Sequence, residues 1–347
     1  MVQTVSTHAA SRATGRSALV LGATGGVGGA IATGLIRDGW QVRALSRNAE
    51  AATSGWRQDC PAPHFVAGDA MDAASVIRAA TLQDGVGVIV HAVNPPGYRN
   101  WSSLVLPMID NTLAAARAAG GARIVLPGTV YNYDPARTTV IDEHSAQNAH
   151  TVKGRIRVAL ERKLAAAAPE VPSLILRAGD FFGPGTRASW FAQAMVRPGR
   201  SVRKFTSLAA GVPHAYAYLP DLAATFVGLL AIPERLRPHE TLQFAGHWDA
   251  TGRQMGDAVR RIVGRDVPEA GFPWWMMRLL APFGGFPKEV LEIEPVWKHP
   301  MRLDNRRLVS LLGVEPHTAL DQAVAATLAD MGCLAQPQPG GARLVQA

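Results

Sequence analysis

The stretch ALVLGATGGVGGAI, residues 18–31, decides how this chain folds. Four apolar residues, Ala18 to Leu21, run into Gly22, Gly25 and Gly28, and an apolar-periodic segment, Val27–Arg37, continues until Gly39 stops it. A strand that turns through spaced glycines into a helix allows a tight turn, lets the backbone approach a pyrophosphate, and packs the helix close to the sheet. The start of such a helix aims its free N–H groups and the positive end of its dipole at the phosphates. A glycine triplet alone is a weak signal, so its context carries the argument.

That context is a parallel α/β rhythm. Short β-rich runs at Gln41–Leu45, His64–Ala67, Val86–His91, Arg123–Leu126 and Ser173–Leu176 follow the first strand, and helical patterns such as Leu104–Ala119 lie between them. Strands joined by crossover helices predict a Rossmann-type, doubly wound parallel sheet over residues 17–180. After Gly179 the sequence becomes turn-rich, with helices near Leu222–Leu230 and Met255–Val263, and predicts a smaller α/β substrate lobe over 181–331 that interleaves with the first part. Residues 1–16 read as a frayed leader and 332–347, QPQPGGARLVQA from Gln336 onward, as a disordered tail.

Composition narrows the function classes. The 347 residues are 48% hydrophobic and 18% charged, enough to bury a large core. The most apolar stretch, Tyr216–Ile232, is broken by Pro220 and Asp221, so no membrane span is expected, and a cytoplasmic location fits the two distant cysteines, Cys60 and Cys333. Neither cysteine has metal-ligand spacing. The net charge of +8 comes from 30 Arg and five Lys scattered along the chain, without the clustered basic and aromatic stripe that nucleic acid requires. Segment Phe272–Phe286, FPWWMMRLLAPFGGF, reads as a packed helix or a subunit contact, and a homodimer is expected.

The cofactor can be read more closely. Gly22, Thr24, Gly25, Gly26, Val27 and Gly28 form the phosphate turn. An NAD site usually carries an acid at the end of the second strand for the ribose 2′-OH, but this chain reads QVRALSRN there, with Ser46 and Arg47 in place of the acid. A guanidinium holds a 2′-phosphate in a charge-assisted, bidentate way, which predicts NADP(H) over NAD(H). Asp69 and Ala70, in AGDAMD, are placed beside the adenine. Ala92 and Asn94, in HAVNPP at 91–96, are placed on the nicotinamide side. His91, His144 and His150 are weaker candidates, and Asp180 and Asp221 read as capping residues.

As a set, TGGVGG at 24–29, AGDAMD, HAVNPP, RAGDFFGPG at 177–185, YAYLPDLAATF at 216–226 and DNRRLVSLLGVEP at 304–316 resemble the extended and atypical branches of the short-chain dehydrogenase/reductase superfamily, including its NAD-dependent epimerase/dehydratase members. The resemblance implies a Ser or Thr and a Tyr-x-x-x-Lys pair in which the Tyr moves the proton while hydride moves at the nicotinamide. The helix AHTVKGRIRVALERKL contains no Tyr; with Glu161 as reference, Lys153 falls at the Tyr position and Arg157 at the Lys position, and Pro127 replaces the Ser. Lys153, Ile156, Arg157 and Glu161 after LPGTVYNYD also resemble isoflavone-reductase-like and NmrA-like members. That likeness implies Lys153 as the proton-handling group and, with Arg157, a cofactor contact, with Tyr131 and Thr129 in reserve. It implies a reductase of a small carbonyl or conjugated substrate, with a nucleotide-sugar epimerase/dehydratase or a non-catalytic NADP sensor as the alternatives; Phe181, Phe182, Trp190, Tyr216 and Trp274 in the lobe favour an apolar or aromatic substrate.

Overall fold

The computed structural model describes residues 16–95 and 100–334, so the leader 1–15, Pro96 of HAVNPP and the tail from 335 lie outside the described residues. Seven parallel strands form the central sheet: β1 Ser17–Leu21, β2 Gln41–Ser46, β3 His64–Ala67, β4 Val88–His91, β5 Arg123–Thr129, β6 Ser173–Ala178 and β7 His239–Gln243. Their order is β3-β2-β1-β4-β5-β6-β7. The chain therefore switches direction between β1 and β4, and there the carboxyl ends of the strands open a crevice.

Side chains alternate across the sheet with period two. On one face Ala18, Val20, Val125, Leu174 and Leu176 join one core; on the other Leu19, Leu21, Ile124, Leu126 and Ile175 join a second. Helix α1, Gly26–Arg37, covers the first face. Helices α2 (Ala73–Thr81), α3 (Trp101–Ala118) and α4 (Val152–Ala167) cover the second through Val76, Ile109, Leu113, Leu160 and Leu164. With both faces covered, β1, β4 and β6 are buried throughout, as a parallel sheet requires.

Two segments beyond residue 181 rejoin this unit. Strand β7 adds a seventh position that the sequence reading lacks, and helix α5, Leu219–Leu230, expected in the small lobe, packs on α1. Gly34 of α1 makes that approach close, since a Cβ there would meet Val227 at 3.2 Å. The remaining chain builds a lobe around a three-stranded sheet, His247–Asp249, His214–Tyr218 and Asp180–Phe182, and an aromatic core with Phe182, Phe191, Phe205, Tyr216, Trp274 and Trp297. In segment 272–286, Trp274 and Met277 are buried there, while Trp275, Leu279 and Phe283 are exposed. Among the described residues no helix is long and apolar enough to cross a membrane.

Candidate active-site cleft

A cleft of about 1050 Å³ lies over the carboxyl ends of the sheet, at the large end of the roughly 300–1,000 Å³ typical of small-molecule and cofactor sites. One end is the glycine turn. Gly22 has φ +93°, and a Cβ on it would stand 2.6 Å from the Ala92 carbonyl oxygen; one on Gly28 would stand 2.3 Å from that of Gly22. Only glycine fits either position. Gly25, the N-cap of α1, supplies no side-chain acceptor, so among the described residues no side-chain cap meets the first-turn amides of α1. Gly26 lies beneath a lobe loop, with a built Cβ 3.1 Å from Thr186 Cα.

Thr24, Val27, Ser46, Arg47, Asp69, Ala70, Ala92 and Asn94 all line this cleft with Gly22, Gly25, Gly26 and Gly28. At the end of β2 Asn48 caps the next helix by accepting from Ala51 N at 2.9 Å, and Ser46 Oγ donates to the Asn48 carbonyl at 3.1 Å. No acid stands at this strand end, and Arg47 does. Asp69 accepts from Met71 N at 2.9 Å, whereas the N-cap of α2 is Asp72. A cradle closed to any Cβ and first-turn amides without a side-chain cap fit the pyrophosphate of a dinucleotide, and a guanidinium stands at the second strand end.

The other end of the cleft is lined by Pro127, Thr129, Tyr131, Arg157, Asp180, Phe181 and Trp190. Thr129 closes β5 and caps the short turn Val130–Asn132 by accepting from Tyr131 N at 3.4 Å. Arg157, on the inward face of α4, donates to Asn94 Oδ1 at 3.2 Å and lies 4.9 Å from the Trp101 ring centroid. His91, 2% exposed, has its pKa lowered to about 3 by burial and by the Arg157 charge. Because Thr112 Oγ1 donates to Met108 O, it accepts from His91 Nδ1 at 2.8 Å, which leaves Nε2 as the acceptor nitrogen of a neutral ring.

Lys153 stands elsewhere. It is not among the cleft-lining residues; its side chain is 3% exposed and ion-paired to Glu289, with Glu292 at 3.5 Å. Its charged partners are carboxylates from the lobe. Asp180 and Asp221 also differ from simple caps. Asp180 accepts from His214 Nε2 at 2.7 Å, and Asp221 accepts from Thr318 N and Oγ1, both at 2.7 Å. His144 is exposed, and His150 lies 3.7 Å from Asp134, outside the cleft lining. His214 has no local signal: HAYAY reads as a buried strand, and its partner is 34 residues away.

The family model described as "Epimerase: NAD dependent epimerase/dehydratase family" matches residues 18–243. The chain belongs to this family. Within the NAD dependent epimerase/dehydratase family its fold is close to solved sugar-nucleotide enzymes. It superimposes on UDP-glucose-4-epimerase from Stenotrophomonas maltophila with bound NAD and formylated UDP-arabinopyranose with a TM-score of 0.70 at 17% identity, covering 91% of this chain and 98% of that one. UDP-glucose 4-epimerase from Brucella ovis, in complex with NAD, gives 0.66 at 18% identity over 92% and 99%. A relative in sequence is the 3-diazoavenalumate denitrifying reductase of Streptomyces sp, 28% identical over 181 residues, 48% of this chain; the match spans 57% of that protein's length.

Proposed function

We propose that this epimerase/dehydratase-family protein is a reductase that binds NADP(H) in preference to NAD(H) and reduces a small conjugated or carbonyl compound of aromatic type. The observation that carries this reading is what helix α4 presents to the cleft: Arg157, and no Tyr. A nucleotide-sugar epimerase needs a proton-accepting Tyr to oxidise a sugar hydroxyl transiently; the Tyr position of α4 carries Lys153, ion-paired to Glu289 outside the cleft lining, and the permanently charged Arg157 at the Lys position cannot take that proton either. The relative named as a reductase supports the same direction.

When bound, the dinucleotide supplies the hydride. The glycine turn and the first amides of α1 hold its phosphates, Arg47, beside Ser46, holds its 2′-phosphate, and Asp69 and Ala70 flank its adenine. Arg157, fixed by Asn94 and Trp101, holds the ribose end in the place of the family's Lys. Thr129 and Tyr131 line the substrate end, where the Tyr131 hydroxyl donates the proton to the substrate oxygen. The lobe loop over Gly26 and the aromatic walls Phe181, Trp190 and Trp101 exclude water. In this reading Lys153 anchors the lobe rather than handling the proton. The protein acts in the cytoplasm as a homodimer, a state that sedimentation tests.

The experiment is turnover with NADPH deuterated at the transferring position, against a panel of enones, aromatic aldehydes and aryl diazo compounds. Deuterium in the product and consumption of NADPH are expected. Binding of NADPH with no transfer to any substrate leaves a sensor. Tightly held NAD in the purified protein, with stabilisation by UDP-sugars, restores the epimerase alternative.

A further inference from the structure

Asp180 occupies a singular place in the cleft. Among the described residues two acids line the cavity, Asp69 and Asp180, and they lie at opposite ends of it. Asp69 follows β3 and accepts the Met71 amide, at the end that Ser46 and Arg47 share. Asp180 begins the short strand after β6, among Thr129, Tyr131, Phe181 and Trp190, so it is the one acid of the aromatic end.

Its position is fixed from behind. Asp180 also borders a small second cavity with His214, Gly179 and Met301. His214 Nε2 donates to Asp180 Oδ2 at 2.7 Å, and the imidazole, 4% exposed, is stacked flat on Trp297 with centroids 3.8 Å apart and an interplanar angle of 10°. Tyr216 closes the next side at 4.9 Å. Gly179 brings the two strands together, since a Cβ there would fall 2.1 Å from the Ala215 carbonyl oxygen. A carboxylate keeps acceptor capacity beyond one such bond, and here it is held in one orientation by a stacked, buried partner.

We infer that Asp180, oriented by His214, is the substrate-recognition carboxylate of the cleft, and that the site takes small aromatic molecules bearing a positively charged nitrogen group. The aromatic walls bury the ring, and the carboxylate compensates a charge that those walls alone would exclude. This rests on the reading of the cleft as a substrate site. Asp180 selects the ligand in it, and His214 is a positioning residue that touches no ligand.

The test is binding, not turnover. Affinities of benzylamine, benzyl alcohol and benzoate are measured on the full chain by ligand-observed NMR, with NADPH binding measured separately. The native protein is expected to bind benzylamine about tenfold more tightly than benzyl alcohol, with benzoate weakest. Asp180→Asn removes that preference while the benzyl alcohol affinity stays within about twofold, and Asp180→Glu and His214→Gln each reduce it in part. Should these variants fail to fold, the His214 ring resonances of the native protein read the site, shifting with benzylamine and not with benzyl alcohol. No preference for benzylamine in the native protein overturns the inference. Equal weakening of benzylamine and benzyl alcohol by Asp180→Asn also overturns it, because a mere tie between strands acts on both alike. Charge-selective binding without any NADPH binding sinks the reductase reading and leaves this inference standing.

Discussion

The Lys153 ammonium is ion-paired to Glu289 with its side chain 3% exposed, so α4 and the segment carrying Glu289 and Glu292 are joined by a buried charge cluster. Removing one member of such a cluster leaves like charges without compensation. The acids are about a quarter exposed, so water takes up part of that cost. Lys153→Met is expected to lower stability by about 1–3 kcal/mol in denaturant titration. Amide exchange at residues 285–292 should speed up most. NADPH affinity should stay within about twofold, since the pairing lies outside the cleft lining. Unchanged stability with lost NADPH binding would return Lys153 to the cofactor.

His91 sets an acid limit on stability. Its pKa in the fold is about 3, held down by burial and then by Arg157, against about 6.5 in an unfolded chain. Below 6.5 the unfolded chain binds a proton that the fold refuses, so the stability contribution is complete above 6.5 and is lost as pH falls toward 3. His247, lowered to about 4 by burial and the His317 charge, acts in the same direction. Between pH 6.5 and 4 the slope owed to His91 approaches about 1.4 kcal/mol per pH unit. His91→Asn, whose amide still donates to Thr112, should flatten the profile by that one proton. Parallel profiles for the two proteins would refute the assignment.

How much could be read in advance depended on whether a signal was local. The glycine turn and six strands were legible because apolar period and turn chemistry sit within a few residues of one another. Strand β7 was hidden because HETLQ is polar, and its Glu240, fully buried, is satisfied by Arg307 at 3.0 Å and the Arg237 amide at 2.9 Å. A buried charge whose ion-pair partner is 67 residues away leaves no trace in periodicity. Lys153 shows the same limit, since its carboxylates come 136 and 139 residues later. The candidate cofactor residues of the glycine turn and the ends of β2, β3 and β4 all reach one cleft, because in a doubly wound sheet strand ends share an edge whatever their sequence separation.

Gly28 tests the turn. A Cβ at this position meets the Gly22 carbonyl oxygen at 2.3 Å, a backbone atom that cannot swing aside. Gly28→Ala must separate α1 from the turn, and the shift displaces the amides that would hold a phosphate. Loss of about 1–3 kcal/mol of stability is expected, together with loss of NADPH and NADH binding alike. Gly39→Ala is the control, because φ +82° strains alanine there while nothing lies within 4 Å of the built Cβ. It should destabilise and leave both dinucleotides bound. Retained binding in Gly28→Ala would remove the turn from the cofactor site.

In the proposed function Arg47 is the residue that selects between the two dinucleotides. NADPH differs from NADH by one phosphate on the ribose 2′ oxygen, and at the end of β2 the chain offers a guanidinium and a hydroxyl where a carboxylate would repel that phosphate. Ser46 is already committed to the Asn48 backbone through its hydroxyl, so most of the discrimination falls to Arg47. Arg47→Ala should weaken NADPH at least about tenfold, the scale of one charge-assisted contact at a partly exposed site, and leave NADH within about twofold. Arg47→Asp should go further and reverse the preference, because it restores an acceptor for the 2′-OH. Fluorescence titration with both dinucleotides at two salt concentrations checks this, since a phosphate contact weakens as ionic strength rises and a hydroxyl contact does not. Equal affinity of the native protein for NADPH and NADH, unaltered by either variant, would place Arg47 outside the cofactor site and remove the NADP(H) preference.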